Sequence, residues 1–158
     1  MNGINMPKSY GEAKTFFNQE AHIYYYLSKL YTGDKRTAAL RKAAEYKAAV
    51  SEISLFRALA LKELGKEDES KAVLDEMLDK AQSLIDNKDM RTYYGVGSPS
   101  PMPFELDIER QNLLTGNTLK AFALYGIGKY SEAEICIRKA EKLDPNDFAV
   151  YAYRQITD

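Results

Sequence analysis

The sequence lacks tryptophan and has only one cysteine and one histidine among its 158 residues. A single cysteine cannot form an internal disulfide, which excludes a disulfide-stapled secreted framework. No apolar run approaches the ~20 residues that span a bilayer. The amino terminus, MNGINMPKSYGEAK, has no hydrophobic signal-peptide segment. We therefore expect a cytoplasmic protein that makes no use of a membrane.

The charges are almost balanced, with 22 Lys and Arg against 23 Asp and Glu and a formal net charge of −1. Without a basic field for phosphate backbones, nucleic acid is excluded as a partner. Apolar residues make up 45% and charged residues 28%, a balance typical of a globular chain. The length suits one compact domain with a core of its own.

Proline and glycine are scarce, and five of them lie together in the stretch YYGVGSPSPMPF. This stretch cannot be helical, so we predict a proline-rich loop over residues 87–104. One interpretation is that its large side chains pack the loop onto neighbouring helices. The other is that they bind a partner, since long ordered loops are often functional. The side chains concerned are Tyr93, Tyr94, Met102 and Phe104.

The remaining sequence alternates between two kinds of helical segment. Residues 67–86 and 131–143 each have one apolar stripe, whereas residues 21–31, 53–64 and 119–127 are apolar nearly all round. One-sided helices that alternate with doubly buried ones indicate a two-layer stack of helical hairpins.

We therefore predict an all-α fold of three helical hairpins and a final capping helix. Ser131 and Glu134 have the spacing of a capping box, and Asp147 is the predicted N-cap of the last helix. The predicted inner helices are 19–32, 51–64 and 105–127, the outer helices 34–46, 67–86 and 131–143, and the final helix 148–156. Residues 1–18 form an extension, and 19–158 form the repeat domain with the loop as an insert.

The spacing of three glycines indicates the repeat length. Gly33, Gly65 and Gly128 follow the inner segments, where a left-handed cap favours glycine, and the second interval is nearly twice the first. The first interval is close to the period of about 34 residues that is typical of tetratricopeptide repeats. The second interval fits one repeat plus the inserted loop.

The last repeat, GNTLKAFALYGIGKYSEAEICIRKAEKLDPND, resembles a tetratricopeptide repeat. It has small Ala121 where two helices cross, Gly128 and Tyr130 at the turn, and a closing Asp144-Pro145. The segments SEISLFRALALKELGKEDESKAVLDEML and AHIYYYLSKLYTGDKRTAALRKAAEY resemble it less fully. The resemblance implies a right-handed solenoid.

A narrower resemblance covers most of 19–156. The order YYYL, RALALKELG, YYGVGSPSPMPFELDIERQN and the final repeat is similar to bacterial proteins whose repeats follow a mutarotase-like β-sandwich domain of unknown function. It implies a second function, as the docking tail of such a carbohydrate-related domain, which these residues do not include.

The candidate catalytic and binding residues lack the neighbouring residues that catalysis or ligand binding would require. His22 has no second histidine, Cys136 lies in an apolar stripe, and the glycines of the loop lead into prolines. Glu67 to Glu69 are typical of a solvated helix start. We expect no enzyme, no catalytic or metal-binding residues and no cofactor.

The resemblance to tetratricopeptide proteins implies a concave groove along the inner helices that binds a protein or peptide. Tyr25, Lys29 and Leu59 stand where chaperone-tail binders carry clamp residues, which disfavours that ligand. Self-association, as a homodimer, is a further alternative. The implied groove residues are His22, Tyr25, Lys29, Leu55, Leu59, Lys62, Thr118, Phe122 and Tyr125.

Overall fold

The computed structural model describes residues 20–47, 49–86 and 107–157, which form seven helices and no strand. This confirms the all-α prediction. The predicted extension 1–18 and loop 87–104, with Tyr93, Tyr94, Met102 and Phe104, lie outside the described residues. No helix in the described ranges is long and apolar enough to cross a membrane. The helices are α1 Glu20–Leu30, α2 Gly33–Ala44, α3 Ser54–Glu63, α4 Glu67–Asp86, α5 Ile108–Ile127, α6 Tyr130–Leu143 and α7 Phe148–Thr157.

The three predicted turn glycines all have left-handed backbones. Gly33, Gly65 and Gly128 have φ of +56°, +76° and +93° and follow α1, α3 and α5 respectively. A Cβ at any of them would meet nothing within 4 Å. Glycine is therefore required at these turns for its conformation and not for space.

The described residues form two compact units: those up to Met77 together with Gly126–Gly128, and those from Leu78 onwards without Gly126–Gly128. We call them the amino-terminal unit and the carboxy-terminal unit. In the amino-terminal unit, Leu40, Ala43 and Ala60 form a buried cluster between α2 and α3. The hydroxyl of Ser70 in α4 donates a buried 2.8 Å hydrogen bond to the Ala58 carbonyl of α3. This bond joins the start of α4 to α3.

The carboxy-terminal unit buries the apolar stripe of α6, as its spacing predicts, through Ala133, Cys136, Ile137 and Ala140. A polar contact joins the start of α5 to the end of α6. The Arg110 guanidinium of α5 donates a hydrogen bond to the carbonyl of Leu143, one of the last carbonyls of α6, which have no amide partner within their own helix.

Of the two predicted helix caps, one is confirmed and one is wrong. The Asp147 carboxylate accepts hydrogen bonds from the amides of Ala149 at 2.9 Å and Val150 at 3.1 Å. By contrast, α6 begins at Tyr130 and its N-cap, Lys129, makes no side-chain cap hydrogen bond.

The predicted capping box fails because Glu134 is held elsewhere. Its carboxylate accepts from Arg138 at 2.6 Å and from Arg154 of α7 at 2.8 Å. Arg154 also donates to Glu141 at 2.9 Å, so two carboxylates of α6 hold one guanidinium of α7. Charge-assisted bonds to two guanidinium groups are stronger than one bond to an amide.

Candidate functional site

An aromatic cluster joins α1 to α3 in the amino-terminal unit. The buried ring of Phe56 lies at its centre, with ring centroids 4.4 Å from His22, 5.6 Å from Tyr26 and 5.8 Å from Tyr25. His22 and Tyr26 also meet edge to face at 4.9 Å. The cluster forms because positions three and four residues apart share one face of a helix.

One stripe of α1, next to this cluster, is partly exposed. Tyr26 is 42% exposed and Leu30 78% exposed. Together with His22 and Lys29 they occupy positions i, i+4, i+7 and i+8, which lie along one side of a helix. We call these four residues, His22, Tyr26, Lys29 and Leu30, the α1 face.

The α1 face is bordered by an ion cluster. Glu63 of α3 accepts hydrogen bonds from Lys29 and, at 2.5 Å, from Arg36 of α2. The Lys29 ammonium also lies 4.6 Å from the centroid of the Tyr25 ring, a cation–π geometry. One carboxylate thereby ties α1 and α2 to α3.

The same cluster keeps Glu63 ionised. Burial alone would raise the pKa of Glu63, but hydrogen bonds from Lys29 and Tyr25 and the charges of Lys29 and Arg36 lower it below the ordinary 4.5. Burial would lower the pKa of Lys29, yet its bonds to Glu63 and Tyr25 raise it. A carboxylate stabilised in this way is a weak base, so the cluster positions helices and is a poor proton acceptor.

The environment of His22 favours an uncharged ring. Burial lowers the pKa of His22 below the ordinary 6.5, and the ring contacts recorded for it are with Tyr26 and Phe56. At neutral pH the imidazole is therefore mainly neutral and serves as an aromatic contact. Among the described residues, burial alone accounts for this shift, and no carboxylate that could orient the ring for proton transfer contributes to it.

This burial gives His22 a defined effect on stability. As the pH falls through 6.5, the unfolded chain binds the proton before the folded protein does, so we expect the free energy of unfolding to decrease. The pKa values of Glu63 and Glu134 are lowered below 4.5, so protonation of these carboxylates changes the free energy of unfolding only at lower pH. Urea unfolding of the wild type and of His22→Phe, from about pH 7.5 to about pH 5, measures the effect. The decrease should be absent in His22→Phe, which keeps an aromatic ring; an equal decrease in both proteins would contradict this assignment.

The predicted groove residues of α3 are only partly accessible. Lys62 is exposed and Leu59 half-buried, but Leu55 is fully buried. A Cβ on Gly126 would lie only 2.8 Å from Leu55 Cδ1. Leu55 therefore fills the space that this glycine leaves and is a core residue, which corrects its assignment to the groove.

The predicted groove residues of the carboxy-terminal unit are also covered. Phe122, predicted as a central anchor, is 1% exposed, and its ring meets that of Tyr153 in α7 edge to face at 5.4 Å. The half-buried Tyr125 donates its hydroxyl to the Ile156 carbonyl at 3.2 Å. Thr118 is buried and bonds within its own helix. The assignment of an open groove fails at Phe122 and Thr118, because α7 lies over this side of α5.

Sequence reasoning missed Tyr26 and Leu30. Both belong to a segment that is apolar nearly all round, which was expected to be buried on more than one side. Their spacing of four and eight residues from His22 shows that the three residues share one side of the helix. It does not show which side of the helix is exposed to solvent.

The remaining candidate for chemistry is the thiol of Cys136. It is buried, as its place in the apolar stripe predicts, and burial raises its pKa. A thiol in this state is a poor nucleophile. In the ranges 20–47, 49–86 and 107–157, no group of three or more His, Cys, Asp or Glu side chains could hold a metal ion.

No family model, curated protein or solved structure matches this chain.

Proposed function

We propose that this chain is a non-catalytic helical-repeat module of the tetratricopeptide type that binds a protein segment at the α1 face. Leu59 and Lys62 of α3 are the accessible neighbours in the same unit. One observation carries the proposal: large apolar side chains of the α1 face stay exposed although the rings beneath them are already packed.

The geometry suits binding because the site is preorganised. Tyr26 is held against the rings of His22 and Phe56, and Lys29 is held by Glu63. Side chains that are already ordered lose less entropy when a partner binds. Aromatic anchors with charged residues at the rim are typical of protein-binding surfaces.

The ligand that fits is an amphipathic helix or extended segment that presents apolar side chains. Leu30 and Tyr26 offer apolar contact on one side of a helix, the arrangement in which i and i+4 anchors recognise a partner. A β-sandwich domain of the kind that the sequence resemblance implies is one candidate partner.

Two features support the repeat assignment. The three left-handed glycines stand at equivalent positions after α1, α3 and α5. Small residues also lie at the expected crossings, where Ala58 and Ala121 are both fully buried. A solenoid with the proline-rich loop as an insert between its second and third hairpins remains part of this proposal.

Two features argue against catalysis at the α1 face. His22 is a mainly uncharged ring among aromatic neighbours, and Glu63, which borders the face, is an ionised carboxylate paired with two cations. Neither group is placed to exchange a proton with a substrate at neutral pH.

The test is a comparison of variants with a purified partner. Wild-type protein is used to capture binding proteins from a lysate of the source organism, and the captured protein is then expressed and titrated calorimetrically. We expect Leu30→Gln to weaken the dissociation constant about tenfold or more, because removing a central anchor typically costs about 2 kcal/mol. Leu30 is 78% exposed, so its replacement should leave the thermal midpoint unchanged.

Ile135→Gln is the matched control, because Ile135 is an exposed aliphatic residue on α6, outside the α1 face. It should bind like the wild type. Unchanged binding by Leu30→Gln, or an equal loss in both variants, would contradict the proposal.

A further inference from the structure

The helices that form and support the α1 face carry an excess of positive charge. Residues 20–66, from the start of α1 to the turn after α3, contain nine Lys and Arg against five Asp and Glu, although the whole chain has a net charge of −1. The first eleven residues of α4, 67–77, hold five Asp and Glu and one Lys. Opposite charges are therefore segregated between α4 and the three helices before it.

The acidic start of α4 lies on the other side of α3 from the α1 face. Ser70 of α4 bonds to the Ala58 carbonyl, whereas α1 contacts α3 at Phe56 and Glu63. Two residues correspond to about 200° around a helix, and about seven residues return to the same side. The body of α3 therefore separates the acidic residues of α4 from α1.

Three cations and one carboxylate border the α1 face. Glu63 accepts hydrogen bonds from both Lys29 and Arg36. The side chains of these two cations remain 45% and 47% exposed, against 22% for Glu63. Lys62 is exposed beside Glu63 and forms no ion pair with another described residue. The electrostatic field that reaches solvent here is therefore positive.

The remaining charges of residues 20–66 nearly cancel one another. Asp34 and Lys35 at the start of α2 have opposite signs, and Lys66 pairs with Glu69 at 2.8 Å. The other charged residues of the range are four basic and three acidic. Half of the excess of four positive charges therefore lies beside the α1 face.

We propose that the protein segment bound at the α1 face carries Asp or Glu side chains beside its apolar anchors. This inference rests on the proposed function and names the chemistry of that partner. Apolar side chains of the segment cover Tyr26 and Leu30, and its carboxylates pair with Lys62 and Arg36. The guanidinium of Arg36 bonds to Glu63 through one nitrogen. Because a guanidinium has further N–H donors, it can bind a second carboxylate.

A basic segment fits the same surface poorly. Its Lys or Arg side chains would meet cations of like charge, which costs affinity at an interface. Glu63 does not compensate, because its carboxylate is already paired with two cations. Charge therefore discriminates between segments of equal apolar content.

Selection from a phage-displayed library of random segments of about 15 residues, enough for four helical turns, tests this preference. The segments are fused to the coat protein at their carboxyl ends, so every carboxylate that they contribute belongs to a side chain. Sequences are selected on the wild-type chain and retained when they fail to bind Leu30→Gln. We expect the retained sequences to contain more Asp and Glu, and fewer Lys and Arg, than the unselected library.

The selection separates this inference from the proposed function. Retained sequences without an acidic bias would overturn the inference and leave the α1 face as a binding site. If no selected sequence depends on Leu30, the proposed function fails and the inference fails with it.

Lys62→Glu tests the charge directly. A retained acidic sequence is synthesised as a peptide with an amidated carboxyl end and titrated calorimetrically against the wild type and the variant. We expect the dissociation constant to increase about five- to tenfold at low salt, because one surface attraction becomes a repulsion of similar size. The difference should shrink at about 0.5 M salt, which screens both.

Lys139→Glu is the matched control, because it makes the same charge change at an exposed lysine of α6. It should bind the peptide like the wild type. Equal affinity of the wild type and Lys62→Glu, or an equal loss in both variants, contradicts the inference.

Discussion

Replacing Phe122 by alanine is expected to lower the free energy of unfolding by about 3–5 kcal/mol, the usual cost of deleting a buried aromatic side chain. The ring is 1% exposed and packs against Tyr153 at 5.4 Å. If Phe122 instead lined an open groove, its truncation would abolish partner binding and leave the helix content unchanged. The structure makes the loss of stability the expected result, to be measured by urea unfolding with circular dichroism.

Phe148→Ala is the control for this prediction. It removes the same side chain from a position that is 70% exposed, so the change should stay within about 0.5 kcal/mol. Equal, small effects of the two substitutions would show that α7 does not cover Phe122.

Gly116→Ala is expected to destabilise the carboxy-terminal unit by about 2 kcal/mol, because the added methyl group overpacks a close helix contact. A Cβ there would lie 2.7 Å from Ile85 Cγ1 and 2.9 Å from the Ala81 carbonyl oxygen. Overpacking costs about 1–3 kcal/mol or more, and the higher helix propensity of alanine returns at most about 1 kcal/mol. A net loss should remain because the contact with Ala81 is to backbone, which cannot rotate away. Urea unfolding measures it.

Gly126→Ala provides the comparison. Its Cβ would meet Leu74 Cδ2 at 2.6 Å and Leu55 Cδ1 at 2.8 Å, but both atoms are ends of side chains that can change rotamer. We therefore expect a smaller loss at Gly126 than at Gly116. The reverse order would mean that α4 and α5 do not approach each other as closely at Gly116 as described.

The helices and their turns could be predicted from the sequence because both depend on local patterns. Apolar residues at i, i+3 and i+4 located the stripe of α6, and the glycines that follow α1, α3 and α5 marked left-handed turns. The Asp147 cap is equally local, since its amide donors lie two and three residues away.

The wrong assignments have a common physical cause, which is a partner distant in the sequence. Glu134 has the spacing of a capping residue, but Arg154 lies 20 residues further along and binds its carboxylate. Phe122 of α5 is predicted to line a groove, but the ring of Tyr153 in α7 packs against it. A helical pattern shows which residues share a face, but which element packs on that face depends on the whole fold.

Site-specific photo-crosslinking tests the central claim, partner binding at the α1 face, most directly. A photoreactive amino acid at position 30 is activated in a lysate of the source organism, and the same residue at position 135 serves as the control. We expect one specific protein to be crosslinked from position 30, to be displaced by excess unlabelled wild type, and not to be crosslinked from position 135. No displaceable product from position 30, or the same product from both positions, would contradict the account.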